Sequence, residues 1–300
     1  MAYSKKSKKV GIALGAGSAR GWAHIGIFNA LKQKGIEPDI VCGTSIGALV
    51  GAAYVTDSLD PLAAWVSQLR RRDVASYFDL TFSGGMIQGT RLMKSLEEIF
   101  PGDLLIEDLP KPFAAVATEL ETGNEVWLQS GPLLPALRAS FAMPALFTPV
   151  CYQGEWLIDG ALVNPIPISL CRALGADIVI AVNLDSKLSG RSFRKVDIPP
   201  EDIAKDISSE SDIKKWIAHV SNRFLTKPKS DGDVPSLFDV LSGSIYIMQD
   251  RITRSRMAGD PPDLILSPQV DDIGLLDFDK ATKAIEAGYN CVEKMSYLLD

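Results

Sequence analysis

The sequence predicts an α/β fold with a mainly parallel central sheet, and three observations carry the prediction. A short apolar run at 9–14 enters a glycine-rich loop, and a second at 39–42 enters a glycine-flanked turn. Each is followed by a stretch with helical periodicity. Strand, loop and helix repeated within about 50 residues is a βαβα start, and strands joined by helical crossovers run parallel.

The elements follow in order. Lys9-Val-Gly-Ile-Ala-Leu14 reads as the first strand and ends in Gly15-Ala-Gly-Ser-Ala-Arg-Gly21. A helix carrying Trp22, Ile25, Phe28, Ala30 and Leu31 comes next, with Gly35 as its C-cap. Asp39-Ile-Val-Cys42 reads as a buried strand, and Ser45 to Val55 as an Ala-, Leu- and Val-rich helix. Further strands are expected at 113–118, 125–129, 156–158 and 177–182, with a helix at 166–174. Residues 70–92 carry glycines and aromatics with few periodic signals, and read as a flap or as an irregular connection.

Composition shifts after Asn183. The Ser-, Lys-, Asp- and Pro-rich segments 186–212 and 226–235 read as exposed loops or partial disorder. Between them, Ile213, Trp216, Ile217, Val220 and Phe224 fall on one helical face, for core packing or for a membrane- or substrate-facing helix. Ile245, Met248 and Ile252 share a face of another helix, Leu264-Ile-Leu266 reads as a strand, and 279–297 as a last helix. No internal repeat or second domain emerges. The expected organisation is a basic tail at 1–8 and one α/β domain at 9–300. Its motifs lie in 9–185, and 186–300 forms a helical, partly flexible C-terminal part.

The balance of residues narrows the function. Hydrophobic residues are 46% of the 300 and charged residues 23%, enough for a sizeable core. A net charge of −6 speaks against a general nucleic-acid binder. Local basic clusters remain at Lys5, Lys6, Lys8 and Lys9 and at Arg70, Arg71 and Arg72. They read as solvated ends, or as weak attraction to anionic headgroups. Cys42, Cys151, Cys171 and Cys291 are far apart with no CxxC pair, so neither a disulfide framework nor a zinc site is expected. With no uncharged run long enough to span a membrane and no signal-type apolar segment, a cytoplasmic protein is expected, peripheral at most on the inner face of the membrane.

Gly43-Thr44-Ser45-Ile46-Gly47 fits G-x-S-x-G. Chance supplies such a pentad in roughly one chain of this composition in ten, so the context carries the weight. The motif ends a strand and opens a helix, as a nucleophile elbow requires, and Gly43 and Gly47 permit the sharp turn. The alternative role for Ser45 is a helix cap.

Gly15-x-Gly17-x-x-x-Gly21 admits a dinucleotide reading, but Cys42-Gly43 stands where the ribose-binding acid belongs, and no tyrosine has a lysine four residues on. The other reading is an oxyanion hole, with N–H groups around Gly17 and Ser18 directed at the tetrahedral oxygen and Arg20 bracing the loop or adding charge. A serine nucleophile needs a base. His24, in the first helix, shares a face with Phe28 and Leu31, which suits a structural histidine. His219 would complete a Ser–acid–His order. Asp159, at the end of Trp156-Leu-Ile158 and followed by Gly160-Ala161, puts a carboxylate at a strand's carboxyl end.

These motifs, with Ala139-Ser140-Phe-Ala-Met-Pro144-Ala-Leu-Phe147-Thr-Pro149 before the aspartate, resemble the patatin-like phospholipases, in particular the compact bacterial (RssA-type) branch. The resemblance covers residues 9 to about 185. It implies a three-layer α/β/α fold and hydrolysis of lipid acyl esters, of phospholipase A, lysophospholipase or esterase type, without metal or cofactor. It also implies a Ser45–Asp159 dyad, an oxyanion hole from Gly15, Gly17, Ser18 and Arg20, and Gly43, Gly47 and Gly160 as supports. Ala16 and Ser18 stand where relatives often carry glycine. An acyltransferase using the same dyad and a regulatory protein with a vestigial site are the rival readings. The expected partner is a lipid ester, at a membrane surface or free, and not nucleic acid.

Overall fold

A computed structural model describes residues 8–77, 89–100, 102–144, 146–184 and 237–295. Its centre is an eight-stranded sheet. The strands are β1 (Val10–Leu14), β2 (Ile40–Thr44), β3 (Phe113–Glu119), β4 (Glu125–Leu128), β5 (Val150–Tyr152), β6 (Glu155–Asp159), β7 (Ile178–Val182) and β8 (Leu264–Leu266). Their order is β5-β6-β3-β2-β1-β7-β8, with β4 also paired to β3. β3, β2, β1, β7 and β8 are mutually parallel, while β4 and β6 run antiparallel to β3.

Side chains alternate between two cores. Ile12 and Leu14 of β1, Val41 of β2, Phe113 and Ala115 of β3, and Ile180 and Val182 of β7 enter one core. Ala13, Cys42, Ala114, Val116, Val179 and Ala181 enter the other. Both faces are covered, which is why these strands read as continuous apolar runs rather than alternating ones.

Helices α1 (Ala23–Gln33), α2 (Ile46–Val55), α6 (Leu133–Ser140) and α9 (Ala281–Lys294) supply the larger core, and α7 (Ile168–Ala173) the smaller. The remaining helices are α3 (Leu59–Gln68), α4 (Arg71–Tyr77), α5 (Thr90–Ile99) and α8 (Leu237–Gly259). The three-layer expectation is met. α1 and α9 approach backbone to backbone: a Cβ at Gly26 would lie 1.8 Å from the Ile285 carbonyl oxygen, and one at Gly288 1.9 Å from that of Ala23.

Two expectations need amendment, and a third falls outside the described residues. Residues 71–77 and 90–99 are helical, not an irregular flap, and 78–88 lie outside the described residues. So does the stripe Ile213–Phe224, with His219. The helix around 245–252 is present as α8, but its buried face differs from the apolar one: Gln249 is 7% exposed and Thr253 5%, while Met248 is 51% exposed. The physical reason is polar anchoring. Arg256 of α8 pairs with Glu125 at 2.5 Å, and Glu125 also accepts from Asn164, so the helix is drawn in by its polar side.

Candidate functional site

Ser45 stands between β2 and α2 with φ 57° and ψ −125°. A non-glycine residue there carries about 1–3 kcal/mol of strain and persists only when its surroundings hold it. The Ser45 amide donates to Ser140 Oγ at 2.9 Å, and Ser140 Oγ donates to the Val116 carbonyl at 2.6 Å. Close approach completes the clamp, because a Cβ at Gly43 would sit 2.4 Å from the Ala48 nitrogen and one at Gly47 2.3 Å from the Leu14 oxygen.

β3 sets the spacing between Ser45 and Asp159. Its residues 115 and 116 pair with both β2 and β4, and 117 and 118 with both β4 and β6, so β2 and β6 share one edge of β3. Thr44 pairs with Val116 and Asp159 with Ala117, the next position. The two strands therefore meet tip to tip. Asp159 reaches Ser45 because β6 runs antiparallel into the end of β2, not because β6 belongs to the parallel set, which corrects the reason the sequence suggested.

Ser45 Oγ donates to Asp159 Oδ2 at 2.7 Å, and the Ala161 amide donates to Oδ1 at 2.8 Å. The Asp159 backbone is fixed on both sides, its amide donating to the Ala142 carbonyl at 3.0 Å and its carbonyl accepting from Thr118 Oγ1 at 2.9 Å. Burial raises the Asp159 pKa from 3.8 to about 6, against the lowering effect of the Ala161 and Ser45 hydrogen bonds. The pocket around the pair is lined mostly by apolar side chains, among them Leu49, Trp65, Phe141 and Phe147.

His24 is fully buried, and its Nε2 lies 2.8 Å from the Gly15 carbonyl. The ring therefore braces the glycine loop. Within that loop the Gly15 amide donates to Val182 O at 3.1 Å and the Ala16 amide to Pro165 O at 2.9 Å. Among the described residues, the Gly17 and Ser18 amides have no acceptor in the chain. Ser18 adopts φ 51°, the left-handed region that glycine would take without strain, and its hydroxyl donates to Leu275 O at 2.6 Å. Arg20 Nε donates to Ile273 O at 2.9 Å, Nη1 bonds the Tyr246 hydroxyl, and the guanidinium lies 5.0 Å over the Tyr246 ring.

Ser140, Thr118, Tyr246 and Gln249 contribute to the site and were not singled out from the sequence. Only Ser140 had a signal, its place in the stretch before the aspartate. Tyr246 and Gln249 line the pocket from α8.

The patatin-like phospholipase family model matches residues 12–172. An NTE family protein of Mycobacterium tuberculosis is 30% identical over 326 residues, covering 94% of this chain and 89% of the relative. Lysophospholipase NTE1 of Coccidioides immitis is 29% identical over 289 residues, 94% of this chain but 17% of that protein. A patatin-like phospholipase domain-containing protein of Caenorhabditis elegans is 37% identical over 188 residues, 59% of this chain and 14% of its own length. The chain is thus a lipid ester hydrolase built on an α/β fold. It belongs to the patatin-like phospholipase family.

Proposed function

We propose that the protein hydrolyses lipid acyl esters through an acyl–Ser45 intermediate, with Asp159 as the side-chain base. The observation that carries this reading is the 2.7 Å Ser45–Asp159 hydrogen bond at the wall of an apolar pocket. As Ser45 Oγ attacks the acyl carbon, its proton passes to Asp159 Oδ2. The carbonyl oxygen becomes an oxyanion, received by the Gly17 and Ser18 amides and by the first amide of α2 at Ile46, whose helix end carries positive partial charge. The proton then leaves with the departing alcohol, and water activated by Asp159 releases the fatty acid. His24 is spent on Gly15 and takes no part. Arg20 supports the loop from behind through Ile273 and Tyr246.

The lysophospholipase name of the Coccidioides relative supports a monoacyl phospholipid as substrate. A lipid surface as its source is supported by α8, which lines the pocket with one side and exposes Val240, Leu241, Ile247 and Met248 on another. The test is labelling of the purified protein with a fluorophosphonate, followed by mass spectrometry. We expect label on Ser45, none on a Ser45→Ala variant, and loss of at least about a thousandfold in ester hydrolysis for that variant. Label on another serine, or equal hydrolysis by Ser45→Ala, would sink the assignment.

A further inference from the structure

Gln249 has no explanation in the chemistry above. It lies 7% exposed on α8, in the wall of the pocket that holds Ser45 and Asp159. Among the described residues its carboxamide has no hydrogen-bond partner. The carboxamide is not sealed from solvent, so it is open to a ligand in the free protein. Nor is its position loose. Tyr246, three residues earlier on the same helical face, is bonded by Arg20, and Arg20 is tied to Ile273. Gln249 is thereby held in register with the loop that carries the Gly17 and Ser18 amides.

The chemistry of the carboxamide selects its ligand. It offers donors and an acceptor in one group, whereas an acyl chain offers neither and an ester or phosphate oxygen only accepts. Among the described residues no lysine or arginine lines the pocket, so none of them supplies a cation to draw in a phosphate. A hydroxyl is complementary on both counts, since it accepts from the amide nitrogen and donates to the amide oxygen.

We propose that Gln249 is a specificity residue that binds a free hydroxyl beside the scissile ester, selecting monoacyl glycerolipids over diacyl ones. A second acyl group at that position would replace the hydroxyl by an acceptor-only oxygen and leave the amide oxygen unpaired. The inference rests on the lipid-ester reading of the pocket, and its test separates the two.

Binding can be read without turnover, using 1-O-hexadecyl-glycerophosphocholine and its 2-O-methyl ether and following the fluorescence of Trp22 and Trp65, which line the pocket. The 300-residue chain should bind the hydroxyl form roughly tenfold or more tightly than the methyl ether, since sites built to bond a hydroxyl reject its absence. Gln249→Leu should erase that ratio, and Gln249→Glu, which keeps the shape but removes the donor, should reduce it. Equal affinity in the wild type, or a ratio that survives in both variants, overturns the proposal. Hydrolysis of 1-palmitoyl-lysophosphatidylcholine by Ser45→Ala at the wild-type rate would instead overturn the catalytic reading and leave hydroxyl recognition standing.

Discussion

The proposed mechanism requires Asp159 to be charged in a place that disfavours charge. Moving its carboxyl from 3.8 to about 6 makes the ionised form cost about 3 kcal/mol at neutral pH. Asp159→Asn keeps an acceptor for the Ala161 amide and a donor toward Ser45, yet loses the charge. The variant should lose about three orders of magnitude or more in kcat. It should also unfold several degrees higher than wild type at pH 8, with the gain gone below about pH 4. Calorimetry checks the second effect, and a variant no more stable at pH 8 would show that the carboxylate is not held against a desolvation cost. For the wild type, kcat/KM should fall on the acid side with an apparent pKa near 6. Ser140 is a different case. Its hydroxyl joins the Ser45 amide to the Val116 carbonyl. Ser140→Ala leaves two buried backbone groups unpaired, so denaturant unfolding should show a loss of about 2–4 kcal/mol, alongside slower labelling of Ser45.

At the scale of elements, α1 and α9 touch without side chains between them. Gly288→Ala would force the helices apart, which should cost about 1–3 kcal/mol or more in urea unfolding while Ser45 still labels. An unchanged midpoint would contradict the close approach. Much of the element list was legible in the residues, because β1, β2, β3 and β7 are short apolar runs bounded by polar or glycine residues. Ser45 was legible because its five residues bridge a strand and a helix. Asp159 was legible as a strand-end carboxylate followed by glycine, but its route to Ser45 was not. That route depends on β6 and β2 sharing an edge of β3, through pairings between residues 72 and about 40 positions apart that leave no local periodic trace. The face of α8 was misjudged for a related reason. Its apolar residues predict one buried stripe, whereas the Arg256–Glu125 pair and the Arg20–Tyr246 bond turn the helix to bury Gln249 and Thr253. Apolar patterning is a poor guide where a helix closes over a polar site.

For the whole molecule, two buried titrating groups act against each other. His24 is fully buried, and its Nε2 is paired with Gly15 O while Nδ1 has no partner among the described residues. Burial lowers its pKa from 6.5 to about 4, because protonation would add both a charge and an unmet donor. Between those values the unfolded chain binds the proton and the native state does not, so His24 removes stability as pH falls from 6.5 to about 4. Asp159 has the opposite sign. Its native state holds a proton that the unfolded chain has released, so it restores stability as pH falls from about 6 toward 3.8. In the shared window, between about pH 6 and 4, each contributes about 1.4 kcal/mol per pH unit and the two cancel. Removing one should expose the other. Asp159→Asn should lose stability relative to wild type on acidification through this window, and His24→Gln should gain it. The double variant should again run parallel to wild type. Urea midpoints for the four proteins at pH 6.0, 5.0 and 4.5 test this, and the differences between variants remove the background from carboxylates outside the site. Parallel curves for all four would mean that neither group titrates as its burial requires. A slope appearing in the Asp159 variant alone would mean that Asp159 titrates as its burial requires and His24 does not.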